Sequence, residues 1–213
     1  MNLTPLFYKV APLSTNSPGP HPMLILLHGR GTDENDLIGL VPSFDPRLLI
    51  VSMRAPYEFP YGGYMWFNLD GQGDVKADEI LSSREAIMRC LDDVQQKYSV
   101  DRKRVFLFGF SMGAMMSLTV SLSYPDRFKG VIAHSGLLLQ DDKLLYRWNN
   151  LGGISFLIEH GTHDPIVPVE LGRQAHQRLI DAKAHVQYKE YSIQHTISEE
   201  SLNDAAVWLN QQI

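Results

Sequence analysis

Residues 104–123 read RVFLFGFSMGAMMSLTVSLS and carry the strongest structural signal in the chain. The run of aromatic and branched residues Arg104–Phe108 predicts a buried strand that a glycine ends. The apolar run Met112–Ser123 stops just before a tyrosine and a proline, and this pattern predicts a helix. Ser111 therefore lies at a junction between a strand and a helix, inside the pattern Gly-Phe-Ser-Met-Gly.

Strand and helix patterns alternate along most of the chain on both sides of this junction. Short apolar or alternating runs predict further strands at Leu6–Val10, Met23–Leu27, Leu48–Ser52, Val131–His134, Ser155–Glu159 and Val186–Tyr191. Helical spacing predicts three more helices: one opened by a capping box of Ser82 and Glu85, one with Pro168 as its first residue, and one capped by Ser198. The alternation predicts a single α/β domain over residues 1–213, with a mainly parallel sheet and helices on both faces.

Composition narrows the classes of function. The 213 residues carry a net charge of −5, which argues against a protein that binds nucleic-acid backbones through a basic surface. The single cysteine, Cys90, excludes an internal disulfide framework and a multi-cysteine metal site. No apolar run approaches the ~20 residues that span a bilayer, and Met1–Leu13 lacks the pattern of a signal peptide. We therefore expect a cytoplasmic protein without stable membrane insertion, and nothing in the sequence marks an oligomer contact.

The junction at Ser111 has the form of a nucleophile elbow. A tight strand–turn–helix connection places the hydroxyl oxygen above the edge of the sheet, where it can attack a carbonyl carbon. Gly109 and Gly113 flank the serine, and a Cβ atom at either position would collide with the strand or the helix. The helix N-terminus also favours the negative charge that develops near the serine. The pattern predicts that Ser111 is the nucleophile of a hydrolase.

A serine hydroxyl needs a base that takes its proton and an acid that orients the base. Where a nucleophile elbow carries the serine, the acid and then the histidine follow it along the chain. Asp164 comes after the strand predicted at Ser155–Glu159, and His195 comes after the strand predicted at Val186–Tyr191. The three side chains would all project from one edge of a parallel sheet, which is where such sheets carry their sites.

Other polar residues leave alternatives open. Asp141 and Asp142 follow an earlier strand and would be an alternative acid. His160 and His163 flank the loop of Asp164, where they would orient the acid, contact substrate or make ordinary buried hydrogen bonds. The remaining histidines of interest are interpreted as packing or surface residues: His134, His176 and His185. No HExxH, G-x-G-x-x-G or P-loop pattern occurs, so we expect neither a metal nor a nucleotide cofactor.

Two further loops would complete such a site. The oxyanion of the transition state needs two N–H donors, one of which would be the N–H of Met112, directly after the nucleophile. The second would come from the glycine-bracketed loop Leu27–Thr32. The long, glycine-rich segment Tyr57–Val75 carries several aromatic residues. It is interpreted either as a functional loop or as a loop held on the core by those aromatics.

Six blocks of residues occur together along the chain: LHGRGTDENDL (27–37), RAP (54–56), WF (66–67), GFSMG (109–113), HGTHDPIVP (160–168) and IQH (193–195). In this order they resemble the phospholipase/carboxylesterase family of α/β-hydrolases, which includes the acyl-protein thioesterases. The resemblance extends from about residue 22 to the end of the chain. It implies a small α/β-hydrolase without a cofactor and without a large cap domain, and the stretch between Gly136 and Gly152 is too short for such a cap.

The resemblance also implies roles for the candidate residues. Ser111 would be the nucleophile, His195 the base and Asp164 the acid that orients it. The resemblance implies that Arg30 and Met112 bind the oxyanion through their backbone N–H groups. It also implies that Trp66 and Phe67 lie near the acyl or alcohol pocket.

Two positions differ from the thioesterase branch of that family. Met112 stands where that branch usually has glutamine, and Arg30 stands where it tends to have an apolar residue. The sequence therefore predicts a serine ester hydrolase of bacterial type that acts on a small ester through an acyl-enzyme. A lysophospholipase, an acyl-protein thioesterase or an acyl transferase would use the same residues. A non-catalytic α/β-hydrolase that only binds a ligand is the alternative from another class.

Overall fold

A computed structural model of the chain describes residues 6–12, 19–69 and 76–213. Within these residues a seven-stranded sheet consists of β1 (Tyr8–Val10), β2 (His21–Leu27), β3 (Leu49–Met53), β6 (Val100–Phe110), β7 (Gly130–His134), β8 (Ser155–Gly161) and β9 (His185–Tyr191). Two short strands outside this sheet, β4 (Tyr57–Glu58) and β5 (Tyr64–Met65), pair as a hairpin.

The order of the strands brings the loops that carry the candidate residues to one edge. The order is β1–β3–β2–β6–β7–β8–β9. Only β1 runs antiparallel to its neighbour among the strands described for this sheet. The carboxyl ends of β2, β6, β8 and β9 therefore meet at the same edge, and parallel α/β sheets carry their functional sites there.

Helices cover both faces of the sheet. One face carries α1 (Ala77–Lys97), α2 (Met112–Ser123) and α3 (Val169–Asp181), and the other carries α4 (Glu199–Asn210) with a 3-10 helix at Leu37–Ser43. Alternate residues of the central strand β6 face the two layers, because successive side chains of a strand point to opposite sides. Leu107 packs in the layer of α1 to α3, whereas Phe106 and Phe108 pack in the layer of α4.

This architecture confirms the predicted α/β class, with a mainly parallel sheet and helices on both faces. Each predicted strand is present with shifted ends, and the largest difference is in β6, which begins four residues before the predicted Arg104. The prediction that Ser198 caps the last helix is confirmed. Its hydroxyl accepts the N–H of Ser201, whose own hydroxyl accepts the N–H of Ser198, so the two serines form a capping box.

Two predicted helix starts are wrong. The helix predicted to open at Ser82 and Glu85 is α1, and it begins at Ala77, because Ala77 and Ile80 are buried and extend the apolar face toward the N-terminus. Pro168, predicted as the first residue of its helix, lies one residue before it, at the N-cap of α3.

The connections between the elements are short. Residues 135–154 join β7 to β8, and in this described segment the regular structure is one 3-10 turn, Trp148–Asn150, so it holds no cap domain. The predicted loop 57–75 contains the β4–β5 hairpin, while its residues 70–75 lie outside the described residues, as do residues 1–5 and 13–18. In the part of the chain that the structure describes, every helix is too short or too polar to cross a membrane.

Candidate active site

Ser111 occupies a strained turn between β6 and α2. Its backbone has φ 55° and ψ −119°, a conformation that non-glycine residues rarely adopt. Its N–H donates to the carbonyl oxygen of His134 on the neighbouring strand at 2.9 Å, which ties the turn to the sheet. Strain of this kind persists where the surrounding structure enforces it, and it is concentrated at functional sites.

The two flanking glycines allow this turn to form. A Cβ atom on Gly109 would overlap the backbone of Gly113 and lie 2.5 Å from Oγ of Ser117. A Cβ atom on Gly113 would overlap the carbonyl oxygen of Leu27 and lie 2.6 Å from that of His28. These contacts confirm that both glycines are needed, and they show that α2 also presses on the loop after β2.

Asp164 lies in the loop after β8, with its carboxylate buried. Its Oδ1 accepts the backbone N–H groups of Ile166 at 2.8 Å and Val167 at 2.9 Å, and its Oδ2 lies 2.6 Å from Nδ1 of His195. Burial alone would raise the pKa of Asp164. The hydrogen bonds from His195 and the two N–H groups outweigh burial and hold the pKa below its usual value, so the carboxylate is ionised at neutral pH.

His195 lies between the acid and the serine. Since the carboxylate of Asp164 accepts the proton on Nδ1, Nε2 is free to accept the hydroxyl proton of Ser111, whose Oγ is 2.9 Å away. The ring of Phe110 packs beside the imidazole, with the two ring centres 5.0 Å apart. The structure thus brings together the three predicted residues in one continuous chain of hydrogen bonds.

The loop of Asp164 and the loop of His195 pack directly on each other. The N–H of Thr162 donates to the carbonyl oxygen of Tyr191 at 2.8 Å, and the N–H of His163 donates to that of Ile193 at 3.0 Å. A Cβ atom on Gly161 would lie 2.5 Å from two carbonyl oxygens of the second loop. This close contact sets the separation of Asp164 and His195.

The loop after β2 is held beside Ser111 by buried hydrogen bonds. The backbone N–H of Ala55 donates to Nε2 of His28 at 3.0 Å, and the indole N–H of Trp66 donates to the carbonyl oxygen of His28 at 2.9 Å. Gly31 has φ +83° and donates its N–H to Tyr64 on the hairpin at 2.8 Å. Arg30 lies between these two anchors. Met112, the first residue of α2, has a backbone N–H without an acceptor inside its helix.

An ion pair attaches the hairpin and the same loop to the core. Glu34, whose side chain is 2% exposed, accepts two hydrogen bonds from the guanidinium of Arg54 at 2.6 and 2.8 Å. The guanidinium is stacked over the rings of Phe7 and Tyr64. Hydrogen bonding to Arg54 outweighs burial and lowers the pKa of Glu34, so the pair stays charged. The hairpin in the 57–75 segment therefore supports the loop after β2.

A cavity of about 270 Å³ opens at Ser111. Its walls are mostly apolar and come from the loop after β2, the segment that follows the β4–β5 hairpin, α2, the loop after β7, the loop of Asp164 and α3. The described residues that line it are Arg30, Phe67, Leu69, Ser111, Met112, Met115, Leu137, Leu139, Ile166, Val167 and Leu171. Arg30 is the one charged side chain among them, and its guanidinium lies over the ring of Phe59, 5.3 Å from the ring centre.

The structure separates the other candidates. Phe67 lines the cavity, whereas Trp66 is fully buried behind it, where its indole supports the loop of His28. Asp141 and Asp142 are exposed in the loop after β7, and the carboxylate that bonds to His195 is that of Asp164. Of the candidate histidines other than His195, His163 and His185 are exposed, His176 is half-buried, and His134 and His160 are buried.

His134 ties β7 to the start of α4. Its two ring nitrogens lie 3.0 Å from the hydroxyl oxygens of Ser135 and Ser201. Burial, with a smaller repulsion from His160 and His195, lowers the pKa of His134 to about 3, so the ring is neutral. This contact anchors the end of the loop that carries His195.

A buried carboxyl group that the sequence patterns did not reveal lies under the site. Glu159, on β8, is 2.7 Å from the hydroxyl of Tyr191, which is also 2.9 Å from the carboxylate of Asp204. The single hydroxyl proton of Tyr191 cannot be donated to Glu159 and Asp204 at once. Lys189 forms a 2.7 Å ion pair with Asp204, which lowers the pKa of Asp204 and keeps it ionised. Burial raises the pKa of Glu159 to about 8. Protonated Glu159 therefore donates to Tyr191, which donates to Asp204.

No group of three or more histidine, cysteine, aspartate or glutamate side chains is arranged to hold a metal ion within residues 6–12, 19–69 and 76–213. The chemistry available at the site is that of a hydrogen-bonded serine, imidazole and carboxylate beside an apolar cavity.

The chain is similar in sequence and in structure to known hydrolases and esterases. The chain is 23% identical over 197 residues to the putative hydrolase MhqD of Bacillus subtilis, covering 90% of this chain and 94% of that protein. It is 24% identical over 204 residues to acyl-protein thioesterase 1 of Candida albicans, covering 85% and 87% of the two chains. The crystal structure of esterase PE8 superposes with a TM-score of 0.84 at 29% identity, covering 99% of this chain and 100% of that one.

The fold is the α/β-hydrolase fold, and the relatives are named hydrolases and esterases. The chain is accordingly a carboxylesterase-type hydrolase. Its residues 13–213 match the family described as phospholipase/carboxylesterase, and it belongs to that family.

Proposed function

We propose that the protein hydrolyses carboxylic esters through a catalytic triad of Ser111, His195 and Asp164. The observation that carries the proposal is the continuous chain of hydrogen bonds from Asp164 through His195 to Ser111, ending at the wall of an apolar cavity. A nucleophile, a base and an orienting acid in hydrogen-bond contact are the arrangement that activates a serine.

The geometry supports a two-step reaction through an acyl-enzyme. Nε2 of His195 takes the hydroxyl proton as Oγ of Ser111 bonds to the carbonyl carbon, and ionised Asp164 stabilises the resulting imidazolium. The backbone N–H groups of Met112 and Arg30 bind the oxyanion. The imidazolium then protonates the leaving alcohol as the ester bond breaks. A water molecule, deprotonated by His195, attacks the acyl-enzyme and releases the carboxylic acid and the free serine.

The cavity supports a substrate with a short or medium apolar group. Its volume of about 270 Å³ is near the lower end of ordinary ligand pockets, which hold about 300–1,000 Å³. The side chain of Met112 forms part of its wall, at the position where the thioesterase branch usually has glutamine. We propose a small carboxylic ester as the substrate class.

A long-chain substrate is the second candidate, and one feature of the cavity mouth favours it. Leu69 and Ile166 line the cavity and are 41% and 63% exposed. Large apolar side chains exposed beside a pocket are suited to contact an acyl chain that extends beyond it. Some relatives are named acyl-protein thioesterase, and thioester or lysophospholipid hydrolysis would use the same triad here.

The test is hydrolysis of p-nitrophenyl esters from acetyl to dodecanoyl by wild type and Ser111→Ala together. We expect turnover by wild type that Ser111→Ala abolishes, with an optimum at short to medium chains. An optimum at long chains would support the second candidate. If no ester is hydrolysed and a fluorophosphonate does not label Ser111, the chain is a non-catalytic ligand-binding protein and the proposal is wrong.

A further inference from the structure

His160 is a buried histidine that the proposed reaction does not use. It lies on β8, four residues before Asp164, and its side chain is 0% exposed. Its ring packs against α3, where a Cβ atom on Gly172 would lie 2.5 Å from Nδ1. A polar ring enclosed in this way requires a hydrogen bond to offset the loss of its contact with water.

The hydrogen bond that His160 makes goes to the turn holding Asp164. Nε2 of His160 lies 2.8 Å from the carbonyl oxygen of Val167, and a carbonyl oxygen only accepts, so Nε2 carries the proton. The N–H of the same residue, Val167, donates to Oδ1 of Asp164 at 2.9 Å. His160 therefore fixes Val167, and Val167 in turn donates a hydrogen bond to Oδ1 of Asp164.

The other oxygen of the acid is also close to His160. Oδ2 of Asp164 lies 3.6 Å from Nε2 of His160 and 2.6 Å from Nδ1 of His195. The positive edge of the His160 ring thus faces the oxygen that accepts from His195. Nδ1 of His160 has no hydrogen-bond partner among the described residues. A proton on Nδ1 would lack an acceptor, which agrees with the placement of the ring proton on Nε2.

We propose that His160 is a positioning residue, which acts through Asp164 by locking the turn 164–167 so that Oδ2 points at His195. This inference rests on the proposed function, because the orientation of Asp164 affects the rate only if Asp164 is the acid of the triad. Misplacement of a catalytic group by about 1 Å can reduce a rate by ~10²-fold, which is the order of effect at stake.

Three substitutions separate this role from simple filling of space. Glutamine can place its amide nitrogen near the position of Nε2, leucine fills the volume without a donor, and asparagine is too short to reach Val167. We expect His160→Gln to keep most of the activity. We expect His160→Leu and His160→Asn to lose about tenfold or more of kcat, with a smaller change in KM, because the turn orients the acid and contributes only Ile166 and Val167 to the cavity wall.

A double-mutant cycle tests whether His160 acts through the acid. If it does, His160→Leu lowers kcat strongly in the wild type and little further in Asp164→Asn, because the acid is already disabled. Equal fold-losses in both backgrounds, or a glutamine variant as impaired as the leucine variant, would overturn the inference. If Asp164→Asn alone keeps full activity, the proposed triad fails instead, so the two failures are distinguishable.

Gly172→Ala provides a second route if the leucine variant does not fold. Alanine favours a helix over glycine, so α3 itself is not weakened, yet its methyl group would press on Nδ1 of His160. We expect kcat to fall several-fold in a folded protein. Gly39→Ala is the matched control, since a Cβ atom there would meet nothing within 4 Å. Unchanged kcat in a folded Gly172→Ala variant would count against the positioning role.

Discussion

Gly113 lies so close to Leu27 that a Cβ atom on Gly113 would overlap the Leu27 carbonyl oxygen. The first turn of α2 and the loop after β2 are therefore in backbone contact. Each of these two segments carries one proposed oxyanion donor, Met112 and Arg30 respectively. The contact sets the distance between the two N–H groups and makes the glycine part of the site's geometry.

This contact predicts the effect of Gly113→Ala. The methyl group would push α2 away from the loop, so we expect a stability loss of about 1–3 kcal/mol and a fall in kcat of at least tenfold. Thermal unfolding and ester hydrolysis measure the two effects. Gly39→Ala, which has open space at its Cβ position, is expected to change neither. Full activity in Gly113→Ala would show that the spacing of the two segments is not critical.

Asp164→Asn tests the assignment of the acid. An amide at this position does not favour the proton on Nδ1 of His195 as a carboxylate does. The equivalent aspartate-to-asparagine change in a serine protease with a Ser-His-Asp triad lowers kcat by ~10⁴. We expect a loss of about 10³–10⁴ in kcat on a p-nitrophenyl ester, with the fold retained. Asp141→Asn is the control, because Asp141 is exposed and was the alternative acid. A larger loss in Asp141→Asn than in Asp164→Asn would reverse the assignment.

Met115→Phe tests whether the cavity binds the acyl chain. Met115 lines the cavity from α2, and a bulkier ring would shorten the available space. Burial of one methylene group is worth ~0.8 kcal/mol, so each excluded methylene costs about fourfold in kcat/KM. We expect the chain-length optimum to move to shorter esters while acetyl ester hydrolysis changes least. Leu145→Phe, at a position 77% exposed, should leave the profile unaltered.

Arg30 predicts a preference for negatively charged esters. It is the one charged side chain among the described residues of the cavity wall. We expect Arg30→Gln to lower the ratio of kcat/KM for p-nitrophenyl hemisuccinate to that for p-nitrophenyl butyrate by roughly two- to fivefold, the usual worth of an exposed charge pair. Arg30→Lys keeps the charge and should keep the ratio. An unchanged ratio in Arg30→Gln would remove Arg30 from substrate recognition.

Glu159 predicts how stability depends on pH. Its pKa is raised by burial from an ordinary 4.5 to about 8, so the folded state binds a proton that the unfolded state releases between these values. Stability therefore falls as pH rises from about 4.5 to about 8, by at most about 1.4 kcal/mol per pH unit from this group. We expect Glu159→Gln to gain stability relative to wild type across that range. Glu58→Gln, at an exposed position, should follow the wild-type curve in thermal unfolding.

The fold was largely predictable because its signals are local. Buried parallel strands appear as short apolar runs, and the strand–glycine–serine–helix junction at Ser111 needs no distant information. The order of acid and base along the chain predicted the neighbours of Ser111, and the structure places those side chains in contact. Their catalytic roles stay predictions until the substitutions above are made.

What the patterns missed depends on contacts between distant residues. Glu159, Tyr191 and Asp204 meet because β8 and β9 are neighbours in register and α4 packs on them, and no residue spacing encodes that. Trp66 was assigned to the pocket together with Phe67, but the bend that follows β5 sends the two side chains to different places. The structure turns Phe67 to the cavity and Trp66 to His28.

The backbone conformation of Ser111 restricts which residues could serve as the proposed nucleophile at this turn. Threonine carries the same hydroxyl group as serine, but a β-branched side chain is strongly disfavoured at positive φ, and Ser111 has φ 55°. Cysteine has an unbranched Cβ atom and meets no such barrier. The conformation of one residue thus restricts which nucleophiles could evolve at this position. Cysteine could replace serine without a change of backbone, whereas threonine would require a different turn.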